Sequence, residues 1–168
     1  SPHRNGTTAA LADAFIEGAR EAGHDIFRFD AAKEKISPCL ACEHCRTKGR
    51  CIHDDGMQEL LPVLEQAEMV VFVTPLYYFG MSAQLKLIID KCYCRGLQLK
   101  NKKVGTIVVG GSPVDSIQYE LIDKQFDCMA KYLSWDMIFQ KSYYATASDE
   151  LAKNKDSIKE LENIGKNF

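Results

Sequence analysis

Apolar positions along this chain fall into two alternating patterns, one returning every three to four residues and one running unbroken for six or seven. Over residues 5–23 (NGTTAALADAFIEGAREAG) Leu11, Phe15, Ala19 and Ala22 share one face and Gly23 offers a stop, which predicts a first helix. Residues 24–30 (HDIFRFD) follow as a short strand-like run. In residues 54–67, Met57, Leu60, Leu61 and Leu64 line one face behind Asp54 or Asp55 as cap, with Pro62 expected to bend or shorten that helix. Residues 69–74 (MVVFVT) and 104–110 (VGTIVVG) are continuous apolar runs rich in β-branched side chains, the pattern of strands covered on both faces. Between them residues 82–93 predict a helix with Leu85, Ile88, Ile89 and Cys92 facing inward. After them residues 116–133 predict another, packed through Ile122, Phe126, Met129 and Leu133. Residues 136–145 close the strand series, and residues 149–168 are expected to form a largely solvated final helix.

Strict alternation of this kind predicts a doubly wound α/β fold with right-handed crossovers. Its parallel five-stranded sheet would take the order 2-1-3-4-5, in which the first strand is central and feeds a phosphate-binding loop. Because SPHRNGTT begins at that loop, an apolar strand is expected before Ser1, outside this numbering. With 168 residues, 46% of them hydrophobic, the expectation is one domain over residues 1–168.

Charge narrows the partners. A formal net charge of −2 with interspersed signs leaves no basic stripe for nucleic acid or an anionic membrane. No apolar run has the length of a membrane span, and the chain opens on neither a basic nor a signal-like segment, so a soluble cytoplasmic protein is expected. Seven cysteines are an odd number in a chain able to build an ordinary core, which favours free or metal-ligating thiols over a disulfide framework.

Three loops carry candidate binding chemistry. In residues 1–8, Ser1, Thr7 and Thr8 offer hydroxyls and Gly6 lets the backbone turn closely ahead of a helix, an arrangement that suits an anion or serves as an ordinary cap. Neither GxxxxGK[ST] nor GxGxxG is present, so the anion expected is a monophosphate. In TPLYYFGMSAQLK, Pro75 and Gly80 shape the loop, while Tyr77, Tyr78 and Phe79 are placed to flank a flat ring or to pack on a neighbouring subunit. In VGGSPVDS, Gly110 and Gly111 permit close approach of a ligand, although a plain strand-to-helix turn has the same sequence.

The cysteines Cys39, Cys42, Cys45 and Cys51 are spaced C-x2-C-x2-C-x5-C, close to the ferredoxin-type run, with Ile52 where a proline often follows the last ligand. Zinc, with His44 or His53 substituting for a thiol, is disfavoured because zinc sites usually set two pairs apart by a longer spacer. A loop of reduced thiols near a subunit boundary stays open beside a metal centre. Cys92, Cys94 and Cys128 fall on predicted helices and are expected to be small core residues. His3 belongs to the first loop, and His24 is expected to be structural.

SPHRNGTT, CLACEHCRTKGRC followed by DDGM, VTPLYYFGMSAQLKLIIDK and the order of elements together resemble the flavodoxin-like NADPH-dependent FMN reductase family, especially its iron-sulfur flavoprotein branch. The resemblance implies FMN, its phosphate held by Ser1, Arg4, Asn5, Thr7 and Thr8. The ring would lie against Pro75, Leu76, Tyr77, Tyr78, Phe79 and Gly80, with Gly110 and Gly111 on the third loop. It also strengthens a 4Fe-4S cluster on Cys39, Cys42, Cys45 and Cys51. The family's usual Asp-Arg pair stands here as Asp90-Lys91, which removes a planar guanidinium. The implied activity moves electrons from NAD(P)H or a redox protein to flavin, quinone or another small acceptor, with no side-chain acid or base required and a homodimer or higher homo-oligomer expected. The alternatives are a non-enzymatic electron-transfer flavoprotein and a metal-binding module without flavin.

Overall fold

A computed structural model describes residues 1, 3, 6–147 and 150–168. Its sheet has three parallel strands, β1 (Met69–Tyr77), β3 (Lys103–Gly110) and β4 (Asp136–Tyr144), with the two-residue β2 (Gly80–Met81) folded back antiparallel on the end of β1, giving the order β2-β1-β3-β4. The helices are α1 (Thr7–Glu21), α2 (His44–Lys48), α3 (Met57–Gln66), α4 (Ala83–Lys91), α5 (Ile117–Leu133) and α6 (Lys155–Lys166).

The central strand β3 is buried from Val104 to Gly110, and its alternation divides the core between the two faces of the sheet. Ile107 and Val109 pack against Leu11, Phe15 and Ala19 of α1 and Leu161 of α6. Val104 and Val108 pack on the other face against Leu85 of α4 and Tyr119, Ile122 and Phe126 of α5. A third cluster, Met57, Leu60, Leu61 and Ile88, joins α3 to α4. These are the helical faces the periodicity predicts, except that Ala22 caps α1 and is exposed. Gly56 stands at the N-cap of α3, and Asp55, the residue before it, accepts a hydrogen bond from the Met57 N–H at 3.2 Å. Pro62 sits inside α3, which continues to Gln66.

Several expectations are corrected. Residues 24–30 form no ladder and have no regular secondary structure, although Ile26 packs on the same core cluster as Met69, Val71 and Val73. A strand exists only by exchanging hydrogen bonds with a neighbour, and among the described residues the sheet β2-β1-β3-β4 offers this segment none. The three observed parallel strands correspond to the last three of the expected order. The final helix starts at Lys155, behind the Asn154 cap, rather than near residue 149, and it is packed rather than solvated. Gly18 and Gly165 let α1 and α6 touch backbone to backbone: a Cβ on Gly18 would stand 2.0 Å from the Glu162 carbonyl oxygen, and one on Gly165 2.3 Å from that of Phe15. Among the cysteines expected in the core, Cys92 packs against the third cluster, where burial pushes its thiol up to about 12. Cys128 is exposed on α5, and Cys94 turns toward the cysteine loop. His24 is exposed and stacks on Phe168 at 4.4 Å between ring centroids.

Candidate functional site

The loops singled out by sequence meet at the carboxyl edge of the parallel strands. β1 runs past Thr74 to Tyr77 and turns back through Tyr78 and Phe79, both in the left-handed region (φ 43° and 67°) that two-residue hairpins of this type require and that Asn or Gly usually supplies. Thr74 anchors the hairpin: its Oγ1 donates to the Pro75 carbonyl at 2.9 Å and accepts the Ser82 N–H at 3.0 Å. Ser82 in turn caps α4 by accepting from the Leu85 N–H. The result is a rigid base under an exposed tip, with Tyr78 97% and Phe79 51% accessible and their rings edge to face at 5.6 Å. Pro75 is buried, and Leu76 and Gly80 are half-buried below them.

Next to the hairpin, Gly110 ends β3. A Cβ there would meet the Tyr119 hydroxyl at 2.9 Å and Leu76 Cβ at 3.0 Å, so this glycine is required by packing inside the protein. The Tyr119 hydroxyl lies 3.0 Å from the carbonyl oxygens of Gly110 and Tyr143 and 3.1 Å from that of Ser112, sharing one proton among three acceptors and tying the ends of β3 and β4 together. Gly111 is exposed, and a Cβ there would make only ordinary contact, 3.8 Å from the Ala145 carbonyl oxygen. The Ala145 N–H donates to the Gly110 carbonyl at 2.9 Å, which carries the rim on to residues 145–147.

The N-terminus of α1 completes the rim. The Thr7 hydroxyl donates to the Ala147 carbonyl at 3.1 Å, Thr7 and Thr8 are buried, and no acidic residue occupies the first turn. Gly6 stands as cap without a side-chain acceptor, which leaves the helix's positive end for an anion. Ser1 is half-buried, its Oγ accepting from the His3 N–H at 3.2 Å. Arg4 and Asn5 lie outside the described residues. Sequence reasoning missed residues 145–147, held by Glu150 through the N–H groups of Thr146 and Ala147, although their position just after a parallel strand is itself the signal.

The cysteine loop forms a separate site. Cys39, Cys42, Cys45 and Cys51 line one narrow, mostly apolar cavity of about 30 Å³, together with His53, Lys91 and Cys94. Ala41 and Glu43 take left-handed backbone angles between them, and α2 carries Cys45 on a single turn. Among the described residues no three His, Cys, Asp or Glu side chains are gathered as tightly as one metal ion demands. The four cysteines nonetheless line one space, and His53, which lines it too, has its Nε2 buried without a hydrogen-bond partner, so the donor set fits a polynuclear thiolate-bound centre.

Below that cavity Lys91, with 1% of its side chain exposed, pairs with Asp55. Burial alone would raise the Asp55 carboxyl; the Lys91 ammonium and the N–H groups of Ser37 and Met57 outweigh it and hold the group below its ordinary value. Asp90 instead faces solvent and pairs with Lys86 at 2.5 Å. The hairpin and the cysteine cavity lie at opposite ends of α4, roughly 14 Å apart along a nine-residue helix.

With this geometry in view, a family model described as NADPH-dependent FMN reductase matches residues 1–133. The chain is 32% identical over 111 residues to an iron-sulfur flavoprotein of Archaeoglobus fulgidus, covering 65% of this chain and 50% of that protein. It is also 32% identical over 114 residues to an iron-sulfur flavoprotein of Methanocaldococcus jannaschii, covering 67% and 59%. It therefore spans between half and about three-fifths of the length of these relatives. In structure it is similar to an NAD(P)H:quinone oxidoreductase from Methanothermobacter marburgensis (TM-score 0.75, 16% identity, covering 99% of this chain and 91% of that one). An FMN-dependent NADH-azoreductase from Bacillus anthracis in complex with FMN is a further neighbour (TM-score 0.61, 16% identity, 94% and 89% covered). At such identities the likeness to the solved structures is one of fold.

Proposed function

The chain belongs to the NADPH-dependent FMN reductase family, and from that premise we propose that it is an oxidoreductase that binds FMN at the carboxyl edge of the sheet and moves electrons from NAD(P)H or a redox protein to flavin, quinone or another small acceptor. The observation that carries this reading is the convergence of three loops on one rim: the uncapped positive end of α1, the aromatic hairpin and the Gly110–Ser112 turn. Thr7, Thr8 and the first N–H groups of α1 hold the phosphate, with Ser1, Arg4 and Asn5 alongside. Leu76, Tyr77, Tyr78, Phe79 and Gly80 orient the ring and exclude water from one side of it, while the exposed Gly111 leaves room on the other. Bound FMN supplies the hydride and single-electron chemistry. The aromatic tip, so open in one chain, also supports a homodimer that covers it.

Cys39, Cys42, Cys45 and Cys51 hold a 4Fe-4S cluster in this reading, the donor set supporting it; when bound it supplies one-electron transfer. Lys91 places a positive charge beside those thiolates, and Asp55 keeps it there. The test is anaerobic: the protein is purified, its absorption spectrum and its FMN, iron and sulfide contents are measured, and NADPH oxidation is followed with quinone or free flavin added. Bound FMN with turnover supports the proposal. Bound FMN without turnover on any small acceptor makes the chain an electron carrier, and failure to take up FMN makes it a metal-binding module. Flavin without iron removes the cluster.

A further inference from the structure

The turn that follows α4 contributes nothing to the flavin rim, yet it is fastened to the cysteine loop at every second residue. Lys91 pairs with Asp55, the Tyr93 hydroxyl donates to Glu43 Oε1 at 3.1 Å, and Arg95 Nη1 donates to the Gly49 carbonyl at 2.6 Å. These three contacts bracket Cys45 and Cys51 on the loop. On the turn, the residues between them are Cys92, which packs into the core under α3, and Cys94, which faces the loop. Cys94 shares the walls of one narrow cavity with Cys45 and Cys51. It lines the narrow cavity that the four loop cysteines share, and it borders a second, open cavity of about 420 Å³ with Cys45 and Gly49.

We infer that Cys94 is a fifth thiol of the metal centre, placed to bind the iron atom that Cys45 binds. Two thiolates on one tetrahedral metal with bonds of about 2.3 Å stand about 3.8 Å apart, and Cys94 and Cys45 line both cavities together, so the exchange takes place between neighbouring side chains. A cubane cluster takes one terminal thiolate on each of four irons, and this cavity offers one thiol more than that. The step is ligand exchange without change of oxidation state: the Cys94 sulfur bonds to iron and releases its proton to solvent as the Cys45 sulfur leaves and takes one up. The unpartnered His53 Nε2 in the same cavity points independently to a bound group there.

This inference rests on the cluster reading above, and the experiment separates the two. Wild type, Cys45→Ala, Cys94→Ala, the double variant and Cys42→Ala are reconstituted anaerobically with ferrous iron and sulfide, with iron and sulfide per chain as readouts. Expected are full loading of wild type and Cys94→Ala, retention of at least half the iron by Cys45→Ala, and loss to below a tenth in the double variant and in Cys42→Ala. Thiol alkylation with peptide mapping provides a readout that does not depend on the double variant folding. Cys94 is labelled in loaded wild type and protected in loaded Cys45→Ala. Loss of iron from Cys45→Ala to the level of the double variant, or labelling of Cys94 in loaded Cys45→Ala, overturns the inference. Wild type that takes up no iron overturns the cluster reading and this inference with it.

Discussion

A lysine buried as deeply as Lys91 is tolerated where a counter-charge meets it, and Asp55, itself 7% exposed, is that counter-charge. Asp55 already accepts two backbone N–H groups, so the point charge of the Lys91 ammonium completes its partners without the bidentate fork of an arginine. Asp55→Asn leaves the ammonium buried and unpaired at a cost of about 3–5 kcal/mol. The expected fall in Tm at neutral pH is roughly 10 °C. Because the Asp55 carboxyl is held low in the folded protein, its contribution is fully present above the unfolded value near about 3.9 and is lost as pH falls through the folded value. Urea melts between neutral pH and acid should show wild type losing stability more steeply below about pH 4 than Asp55→Asn; equal slopes would refute this account of the pair.

Among the elements, the α1–α6 contact and the β1–β2 hairpin show opposite uses of small residues. At the helix crossing, glycine permits an approach no side chain allows, so Gly18→Ala gains helix propensity but forces the Glu162 backbone away. The expected net loss is about 1–3 kcal/mol, read as a Tm lower by about 6 °C, and an unchanged Tm would mean the helices part without cost. At the hairpin, Tyr78 and Phe79 hold left-handed positions that favour Asn and Gly, so the strain is retained for the aromatic surface. Replacing both, Tyr78→Asn with Phe79→Gly, is expected to stabilise the free protein by about 1 kcal/mol and to weaken FMN binding. Tighter FMN binding by that variant in a fluorescence titration would detach the hairpin from the ring.

For the whole molecule, the rim joins the start of α1, the ends of β1 and β3 and the segment after β4, so a ligand seated there couples segments distant in sequence. FMN at about 100 times its dissociation constant should therefore stabilise the fold by about 2.7 kcal/mol and raise Tm by roughly 5–10 °C. A shift that inorganic phosphate reproduces in full would limit the site to an anion. No helix among the described residues is long and apolar enough to cross a membrane.

The sequence by itself determined the type of the long elements, because the spacing of apolar side chains is a local property: the runs at residues 69–74 and 104–110 are strands, and Leu11, Phe15 and Ala19 share one helical face. It also singled out, by their place beside a helix start and after strands, the loops that the fold brings to one rim. What it left undecided depends on partners far along the chain. Whether residues 24–30 pair is set by a neighbouring strand, and whether α6 is buried is set by Gly18 more than a hundred residues earlier. Cys94, spaced like a core residue, became part of the cysteine cavity only because the contacts of Lys91, Tyr93 and Arg95 bring its turn against the loop. CLACEHCRTKGRC alone offered four thiols, and tertiary contacts between segments some fifty residues apart supplied the fifth.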